Sequence, residues 1–323
     1  MNYRSVSDLS FLTNRHVSRV PQDIELIVGI PRSGMLVASI ISLKLNLPLT
    51  DLYSFLRNDE LKKGNTRTYK HNQLVHPWDA RKVLLVDDSI ASGNSMDAAV
   101  SMVRGAFAGE VVTMAAFAQR ENVNRIDMFL ETVEQPRLFE WNIMHHHLLS
   151  NACLGIDGVL CVGPAPGEND DGPNYRRFLR EASPLFIPSV KVAHLVTNRL
   201  EKYRAETEDW LVRHGVEYGH LHMLELADES QARQLRVGNP FKANAYRSDP
   251  HAILFIEGNR DEALDIMQLA NKPVFCVESN EMFVPGRNLP VMRAQMLRKS
   301  LTFKAKVSGR IRHWLGRRAP ATP

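Results

Sequence analysis

One short run, residues 83–95, constrains the fold of this chain more than any other. It reads Val-Leu-Leu-Val, then two adjacent aspartates, then a small, hydroxyl-rich turn that contains a glycine. Four apolar residues in a row predict a strand of a parallel sheet that is buried on both faces. The turn predicts the N-terminus of a helix, where free backbone N–H groups and the helix dipole favour an anion. The run therefore predicts that Asp87, Asp88 and an anion cradle lie at one edge of a sheet.

The chemistry of this edge suits a ligand that carries a sugar diol and a phosphate. Asp87 and Asp88 can accept hydrogen bonds from two sugar hydroxyls. The hydroxyl groups and backbone amides of the turn can hold the phosphate. The candidate phosphate-binding residues are Ser89, Ala91, Ser92, Gly93, Asn94 and Ser95.

A second apolar run, residues 27–30, also enters a turn and then an apolar helix. The turn consists of Pro31, Arg32, Ser33 and Gly34. Gly34 permits unusual backbone geometry. Arg32 offers a planar guanidinium that can bind phosphate with two parallel hydrogen bonds. Taken alone, this turn is equally typical of a plain strand–helix connection.

Together the two runs resemble the binding motifs of type I phosphoribosyltransferases, which use 5-phosphoribosyl 1-pyrophosphate (PRPP). The resemblance implies that residues 1–143 form an α/β phosphoribosyltransferase domain with a doubly wound parallel sheet. It also implies that the turn at Pro31–Gly34 binds pyrophosphate. Mg²⁺ would bridge pyrophosphate and ribose oxygens, since hard oxygen ligands suit it. The implied reaction is displacement of pyrophosphate from C1 of PRPP. Asp87 and Asp88 would act as catalytic residues that hold the ribose, and one of them could stabilise positive charge at C1.

Residues 57–70, between the two motifs, are polar, basic and without apolar periodicity. A solvated loop is one interpretation. In the resembled family, a flexible catalytic loop that closes over pyrophosphate occupies this place. Closure would exclude water from the reacting carbon. The candidate catalytic residues are Lys62, Lys63 and Arg67, with Lys70 as a further cation.

Strand–helix alternation predicts parallel sheets with helices on both faces. In the first half we expect a helix over 7–19 capped by Ser7 or Asp8, strands near 25–30, 50–54, 83–87 and 110–118, and helices near 35–45 and 94–107. The alternation starts again after residue 145. There we expect strands ending near 154, 198 and 257, helices over 202–214 and 260–270, and a loop over 239–243 that enters a short helix. The triplet at 145–147, three consecutive histidines, fits a linker helix better than a metal site.

The second set of elements, residues 144–290, resembles the haloacid-dehalogenase-like superfamily, whose members are mostly phosphatases and have a Rossmann-like fold. The resemblance implies a phosphate site with Mg²⁺ held by Asp157 and Glu257. The site residues that it implies are Asp157, Thr197, Asn198, Lys242 and Glu257.

The second resemblance has one departure, at Gly155. The family has its aspartate nucleophile at this position, and glycine has no side chain with which to attack phosphorus. A neighbouring residue cannot replace it, because shifting a strand by one residue turns the side chain to the opposite face. We therefore expect an impaired phosphatase whose activity returns when aspartate is restored at position 155.

Composition restricts where the chain works. The sequence has 323 residues, 24% charged, and its three cysteines have no metal-site spacing. With no signal peptide and no transmembrane-length apolar stretch, we expect a cytoplasmic location.

Residues 282–323 contain ten Lys or Arg and no Asp or Glu. We expect the tail, 291–323, to form a basic amphipathic helix that binds the inner membrane face, or else a solvated or homodimer-packing helix. We do not expect nucleic-acid binding, because the rest of the sequence has no matching basic patch with interleaved aromatic residues.

Three functions fit these observations. The first is transfer of 5-phosphoribosyl to a glycan in surface-polysaccharide synthesis, because a phosphatase-like domain and a membrane-directed tail follow the transferase domain. The second is transfer to a nucleobase, of the orotate or purine type. The third is a non-catalytic regulator that senses PRPP, against which the basic loop argues.

Overall fold

The polypeptide divides between Ile143 and Met144 into two units, each built around its own β-sheet. The computed structural model describes residues 1–62, 64, 68, 70, 71, 73–228 and 237–286. Lys63, Arg67 and the tail at 291–323 lie outside these described residues. Within the described part, no helix combines the length and apolar character needed to span a membrane.

The first unit has a five-stranded parallel sheet in the order β3-β2-β4-β5-β6. Its strands are β1 (Asn2–Arg4), β2 (Leu26–Gly29), β3 (Leu49–Asp51), β4 (Lys82–Ile90), β5 (Glu110–Ala118), β6 (Met128–Thr132) and β7 (Arg137–Phe139). Its helices are α1 (Val6–His16), α2 (Gly34–Leu45), α3 (Leu52–Leu56) and α4 (Asn94–Ala106). The short strands β1 and β7 form a separate parallel pair.

Alternate residues of β4 pack into two different cores, one on each face of the sheet. Val83 and Leu85 pack in a cluster with residues of α3 and α4. Leu84 and Val86 pack in a second cluster with residues of α1 and α2. A strand buried on both faces needs apolar residues at successive positions. This requirement explains the Val-Leu-Leu-Val run.

The strand order of the first unit reverses between β2 and β4. In such sheets, ligands bind in the crevice outside the carboxyl ends of the strands at this point. Gly29 of β2 lies beside Val86 of β4. The Ile30 N–H then donates to the Val86 carbonyl at 2.9 Å. The turns that follow β2 and β4 therefore meet at this crevice.

The second unit has a six-stranded sheet in the order β10-β9-β8-β11-β12-β13. Its strands are β8 (Ala152–Leu154), β9 (Val192–Leu200), β10 (Tyr218–Leu224), β11 (Leu254–Glu257), β12 (Val274–Cys276) and β13 (Glu281–Phe283). Its helices within the described residues are α5 (Pro173–Glu181), α6 (Arg204–Arg213), α7 (Gly238–Ser248) and α8 (Arg260–Ala270). All neighbouring strands are parallel except β13, which runs antiparallel to β12. The strand order reverses beside β8, which places a second crevice between β8 and β11.

Three local predictions were wrong. Helix α1 begins at Val6, because Ser5 and Asp8 form a capping box, so neither Ser7 nor Asp8 is the N-cap. The strand expected over 50–54 ends at Asp51, whose carboxylate accepts the N–H groups of Tyr53 and Ser54 and starts a helix. The short helix expected after 239–243 is present, but residues 239–243 are the first part of this helix, α7, and not a loop.

The histidine triplet does not form the expected linker helix as one element. It lies where one short 3₁₀ turn, Glu140–His145, ends and another, His147–Asn151, begins. His146 caps the second turn through its ring Nδ1, which accepts the Leu148 N–H at 3.1 Å. The described residues contain no group of three or more side chains placed to bind a metal ion.

Candidate functional site

Two buried aspartates stand near the end of β4. Asp87 and Asp88 are only 9% and 6% exposed, although β4 continues past them to Ile90. The main-chain N–H of Asp88 donates to Oδ1 of Asp87 at 2.8 Å. The indole Nε1–H of Trp141 donates to Oδ2 of Asp88 at 2.7 Å. The protein thus fixes the orientation of both carboxyl groups, which we call the acid pair.

Burial dominates the electrostatics of the acid pair. Burial and the neighbouring charge of Asp88 raise the pKa of Asp87 to about 7. Burial also raises the pKa of Asp88, while the hydrogen bond from Trp141 opposes the rise. Near neutral pH the acid pair can therefore both accept and donate hydrogen bonds, which suits adjacent hydroxyl groups.

The turn after β2 touches the acid pair through Gly34. A Cβ atom at Gly34 would lie 2.7 Å from the Val86 carbonyl oxygen and 3.0 Å from Oδ1 of Asp87. Only a residue without a side chain lets α2 begin this close to β4. In the same turn, Pro31 and Arg32 are exposed, Ser33 is half-buried, and the Pro31–Arg32 peptide bond is cis. The structure thus brings the two sequence motifs to one place.

The turn after β4 leads directly into α4. Gly93 has a φ of +83°, a conformation that glycine adopts readily, and it caps α4 without a side chain. Ala91, Ser92, Asn94 and Ser95 are exposed, whereas Ser89 is half-buried. The Asn94 N–H points at the Ser92 hydroxyl oxygen at 3.4 Å. The first amides of a helix lack intrahelical acceptors, so this turn is suited to bind an anion.

Residues that the sequence analysis did not single out hold residues 91–95, the candidate phosphate turn, in place; we call it the phosphate turn below. The Arg125 guanidinium donates to the Ser92 carbonyl and to the Asp97 carboxylate of α4. Asn122 donates to the Ala91 carbonyl. Both follow β5 in a polar 3₁₀ segment, Arg120–Arg125. Their spacing from the phosphate turn carries no sequence signal, because only folding brings the two segments together.

The segment at β7 contains two residues of the site that the sequence analysis did not name. Besides Trp141, this segment supplies Arg137, whose buried guanidinium donates to the Ile90 carbonyl at 2.9 Å. The charge of Arg137 also helps to oppose the rise in the pKa of Asp88. A tryptophan just after a short strand was the only signal in the sequence.

The expected catalytic loop is described only in part. Lys62 is exposed, and its Nζ lies 2.7 Å from Oε2 of Glu60. Lys63 and Arg67 lie outside the described residues. Lys70 donates to the Gln22 carbonyl at 2.9 Å. A catalytic role for Lys62, Lys63 or Arg67 therefore stays a prediction.

The second unit has a cavity of about 510 Å³ in the crevice between β8 and β11. Among its lining residues are all five that the second resemblance implied, Asp157, Thr197, Asn198, Lys242 and Glu257. A Cβ atom at Gly155 would lie 3.4 Å from Oε2 of Glu257. Position 155 is therefore directed at the Glu257 carboxylate and has room for a small side chain.

Ion pairs already engage the charged groups of this cavity. Asp157 accepts two bonds from the buried Arg199, at 2.7 Å from Nη2 and 3.1 Å from Nε. Lys242 Nζ lies 2.8 Å from Glu257 and 2.9 Å from Glu262. Burial by itself would raise the pKa of Asp157, but the charge and hydrogen bonds of Arg199 outweigh it and lower the pKa. Asp157 is therefore a poor proton donor at neutral pH.

Burial would likewise lower the pKa of Lys242, but the charges of Glu257 and Glu262 outweigh it, and the pKa is raised. Lys242 is thus a permanent cation that is already neutralised. Both carboxylates expected to hold Mg²⁺, Asp157 and Glu257, accept hydrogen bonds from cationic side chains. Metal binding by this pair stays a prediction.

Comparison with known proteins identifies the first unit. Residues 3–147 match the family described as the phosphoribosyl transferase domain. These residues form a type I phosphoribosyltransferase domain. The match ends close to the boundary between the two units, so it covers the acid pair, both turns and Trp141.

Two curated relatives align with part of the phosphoribosyltransferase domain. A transcriptional regulator, GfcR, from Archaeoglobus fulgidus is 28% identical over 113 residues, which is 34% of this chain and 55% of the regulator. An adenine phosphoribosyltransferase from Halothermothrix orenii is 28% identical over 124 residues, which is 33% of this chain and 69% of that enzyme. The chain thus spans little more than half the length of the regulator.

Solved structures also resemble the phosphoribosyltransferase domain. A purine phosphoribosyltransferase from Pyrococcus horikoshii is 15% identical with a TM-score of 0.32, over 43% of this chain and 92% of that one. A xanthine-guanine-hypoxanthine phosphoribosyltransferase from Helicobacter pylori is 20% identical with a TM-score of 0.33, over 44% of this chain and 92% of that one.

Proposed function

We propose that the first unit displaces pyrophosphate from C1 of PRPP and transfers the 5-phosphoribosyl group to an acceptor. One observation carries this proposal. The acid pair, the phosphate turn and the turn at Pro31–Gly34 meet at one sheet edge, joined by the contact between Gly34 and Asp87. Such an edge has one place for a diol and two places for phosphates, and PRPP carries these groups.

Each part of the edge has a proposed role. The phosphate turn and the N-terminus of α4 hold the 5-phosphate. Asp87 and Asp88 hold the two ribose hydroxyls and face the positive charge that develops on the ribose as the C1–O bond breaks. The turn at Pro31–Gly34, with Lys62, Lys63 and Arg67, receives the pyrophosphate. The protein thus acts mainly by positioning and electrostatic stabilisation.

The acid pair also fits a substrate that carries Mg²⁺. Burial raises the pKa values of both carboxyl groups, and a nearby cation would favour their charged forms. Oxygens of the pyrophosphate and ribose supply the hard ligands that Mg²⁺ prefers. When bound there, Mg²⁺ would neutralise charge on the leaving pyrophosphate.

Two acceptor classes are proposed. A nucleobase is supported by the relative described as an adenine phosphoribosyltransferase. A glycan is supported by the fused second unit and the basic tail, which suit a lipid-linked acceptor and later dephosphorylation. The ion pairs of the second cavity weaken the argument for later dephosphorylation, so a nucleobase is the better-supported acceptor.

We infer for the second unit a haloacid-dehalogenase-like fold without phosphoryl transfer. Support comes from its strand order and from the convergence of the five implied residues on one cavity. The cavity lacks a nucleophile at Gly155, and Arg199 holds Asp157 as a carboxylate. A binding or structural role for this unit fits these features better than catalysis.

The acceptor is tested by mass spectrometry of products after incubation with PRPP and Mg²⁺. One reaction receives mixed nucleobases and another receives a lipid-linked glycan extract. We expect a nucleotide and released pyrophosphate in the first reaction. Asp88→Asn should abolish both products, whereas Asp209→Asn, which removes an exposed carboxyl on α6, should not. A phosphoribosyl mass on the glycan alone would contradict the nucleobase proposal.

A regulator that senses PRPP is the remaining candidate, because one relative is described as a transcriptional regulator. In that case calorimetry would show PRPP binding, but no acceptor would promote pyrophosphate release.

The proposed membrane contact of the tail, 291–323, is tested separately by sedimentation with anionic vesicles. A proposed homodimer is tested by light scattering. Deleting the tail should abolish sedimentation if the tail binds the membrane.

A further inference from the structure

The segment that follows β7 reaches back to the acid pair through one side chain. Nε1 of Trp141 lies 2.7 Å from Oδ2 of Asp88. The indole stacks on Phe139, with ring centroids 5.1 Å apart and planes 6° apart. It also stacks on Phe117 at 6.2 Å. Because Phe139 and Phe117 are buried and stacked on each other, the indole ring has a fixed support.

The surroundings of the two carboxyl groups are unequal. The charged groups that act on Asp88 are Asp87 on the same strand and Arg137 on β7. Trp141 adds an N–H donor to Asp88 that Asp87 does not share, since that indole N–H has a single hydrogen. Asp87 instead receives the main-chain N–H of Asp88 and faces Gly34. Asp88 therefore has an additional hydrogen-bond donor, Trp141, and a nearby positive charge, Arg137.

We propose that Trp141 is a positioning residue that makes Asp88 the charged member of the acid pair and leaves the proton on Asp87. The inference rests on the proposed PRPP site and assigns different tasks to the two carboxyl groups. Asp88 accepts a ribose hydroxyl and faces the developing positive charge. Protonated Asp87 can donate a hydrogen bond as well as accept one. Trp141, 53 residues along the chain from Asp88, thus decides which aspartate performs which task.

The direct test replaces Trp141 with phenylalanine, which keeps a stacked ring and removes the N–H donor. Calorimetry measures PRPP affinity in the presence of Mg²⁺ between pH 5 and 9 on the full chain. We expect affinity near neutral pH to fall by about tenfold, the usual size for losing a hydrogen bond to a charged group. We also expect the acidic limb of the affinity profile to move up by about one pH unit.

The matched control is Trp78→Phe. Trp78 donates its indole N–H to the Phe55 carbonyl at 3.0 Å, so the same group is lost away from the acid pair. Trp78→Phe should leave the acidic limb in place. If Trp141→Phe lowers affinity equally at every pH, Trp141 is only structural and the inference is wrong.

A double-mutant cycle tests whether Trp141 acts through Asp88. In an Asp88→Asn background, Trp141→Phe should change PRPP affinity by less than twofold, because no charge remains to stabilise. An undiminished effect in that background would overturn the inference. A wild-type protein that does not bind PRPP at any pH would instead refute the proposed function.

Carbon-13 NMR of labelled aspartate supplies a readout that needs neither PRPP nor a folded tryptophan variant. In the wild-type protein the Asp88 carboxyl should titrate below the Asp87 carboxyl, with signals assigned from Asp87→Asn and Asp88→Asn. The reverse order would overturn the inference.

Discussion

At the scale of single residues, Gly34 brings the turn after β2 against the acid pair of the candidate site. Its missing side chain lets α2 begin in contact with the Val86 carbonyl and with Asp87. Gly34→Ala forces a Cβ atom to 2.7 Å from a backbone oxygen, which cannot move aside cheaply. We expect this variant to lose about 1–3 kcal/mol of stability and to bind PRPP weakly. Urea unfolding and calorimetry measure the two effects.

A matched control for this prediction is Gly105→Ala in α4. A Cβ atom at Gly105 meets no atom within 4 Å. Alanine in a helix is better than glycine by about 0.5–1 kcal/mol, so this variant should be slightly more stable. If Gly34→Ala behaves like Gly105→Ala, the close contact between α2 and β4 is not a constraint.

The acid pair makes stability depend on pH. The pKa of Asp87 is raised to about 7 in the folded protein, mainly by burial. Between about pH 4, where aspartate ionises in an unfolded chain, and pH 7, the folded protein holds a proton that the unfolded chain has released. Stability of the ligand-free protein should therefore fall as the pH rises through this window.

Asp87→Asn tests this linkage because asparagine cannot ionise. The variant should show a flatter stability profile from pH 4 to 7. At pH 8 it should be more stable than the wild type by roughly 4 kcal/mol, because each of the three pH units between about 4 and 7 contributes about 1.4 kcal/mol. Urea unfolding at each pH measures the difference, with Asp209→Asn as the exposed-carboxyl control. A variant with an unchanged slope would show that Asp87 ionises normally.

The two residues of the acid pair could be predicted from the sequence, but the side chains that surround them could not. Asp87 and Asp88 stand out because an apolar strand precedes them within the same run. Trp141 is 53 residues away from Asp88, and no local pattern connects the two. The same holds for Arg199, which lies 42 residues beyond Asp157 and alters its proton affinity.

At the scale of elements, the phosphate turn depends on a neighbouring 3₁₀ segment. Arg125 bonds both the Ser92 carbonyl before α4 and Asp97 inside α4. Arg125→Met removes these bonds and should free the turn. Because Arg125 is partly exposed, global stability should change by less than about 1 kcal/mol. We expect PRPP affinity to fall roughly fivefold, as for one lost hydrogen bond.

Calorimetry with PRPP and Mg²⁺ tests this prediction, and Arg120→Met provides the control. Arg120 begins the same 3₁₀ segment and pairs with Glu134 at 3.7 Å, outside the phosphate turn. The control should bind PRPP as the wild type does. Equal losses in the two variants would mean that Arg125 acts through net charge and not by holding the turn.

Long, buried elements could be predicted well, whereas short ones could not. The strands β4 and β5 and the helices α2, α4 and α8 follow from apolar runs and periodicity, which are local properties. The start of α3 depends on one side chain, Asp51, that bonds two amides ahead of it. A strand and a helix compete at such a position, and the side-chain cap decides the outcome.

At the scale of the whole molecule, the two units differ in how the charged groups of their candidate sites are paired. In the first unit the pKa values of both carboxyl groups of the acid pair are raised, whereas the charged groups of the second cavity pair with one another. The sequence predicts that aspartate at position 155 restores phosphatase activity. The ion pairs argue against this expectation, because Lys242 already bonds two carboxylates and Arg199 keeps Asp157 ionised.

Gly155→Asp should therefore show no phosphatase activity on ribose 5-phosphate with Mg²⁺. The new carboxylate would lie beside Glu257, since even a Cβ atom there is 3.4 Å from Oε2. Released phosphate measures the activity. The matched variant Gly155→Asp with Glu262→Gln frees Lys242 from one partner and should be the more active of the two. Turnover by Gly155→Asp alone would contradict the role given to these ion pairs.

The sequence by itself determined the α/β architecture and the position of the phosphoribosyltransferase motifs. Both depend on interactions between residues close along the chain, such as apolar runs, paired acids and glycine turns. Only the tertiary structure decided the electrostatic state of each site. Whether a carboxyl group is charged depends on burial and on partners such as Trp141, Arg137 and Arg199, which folding brings from distant segments. Coulomb and hydrogen-bond energies follow distance in space, and sequence spacing does not reveal that distance.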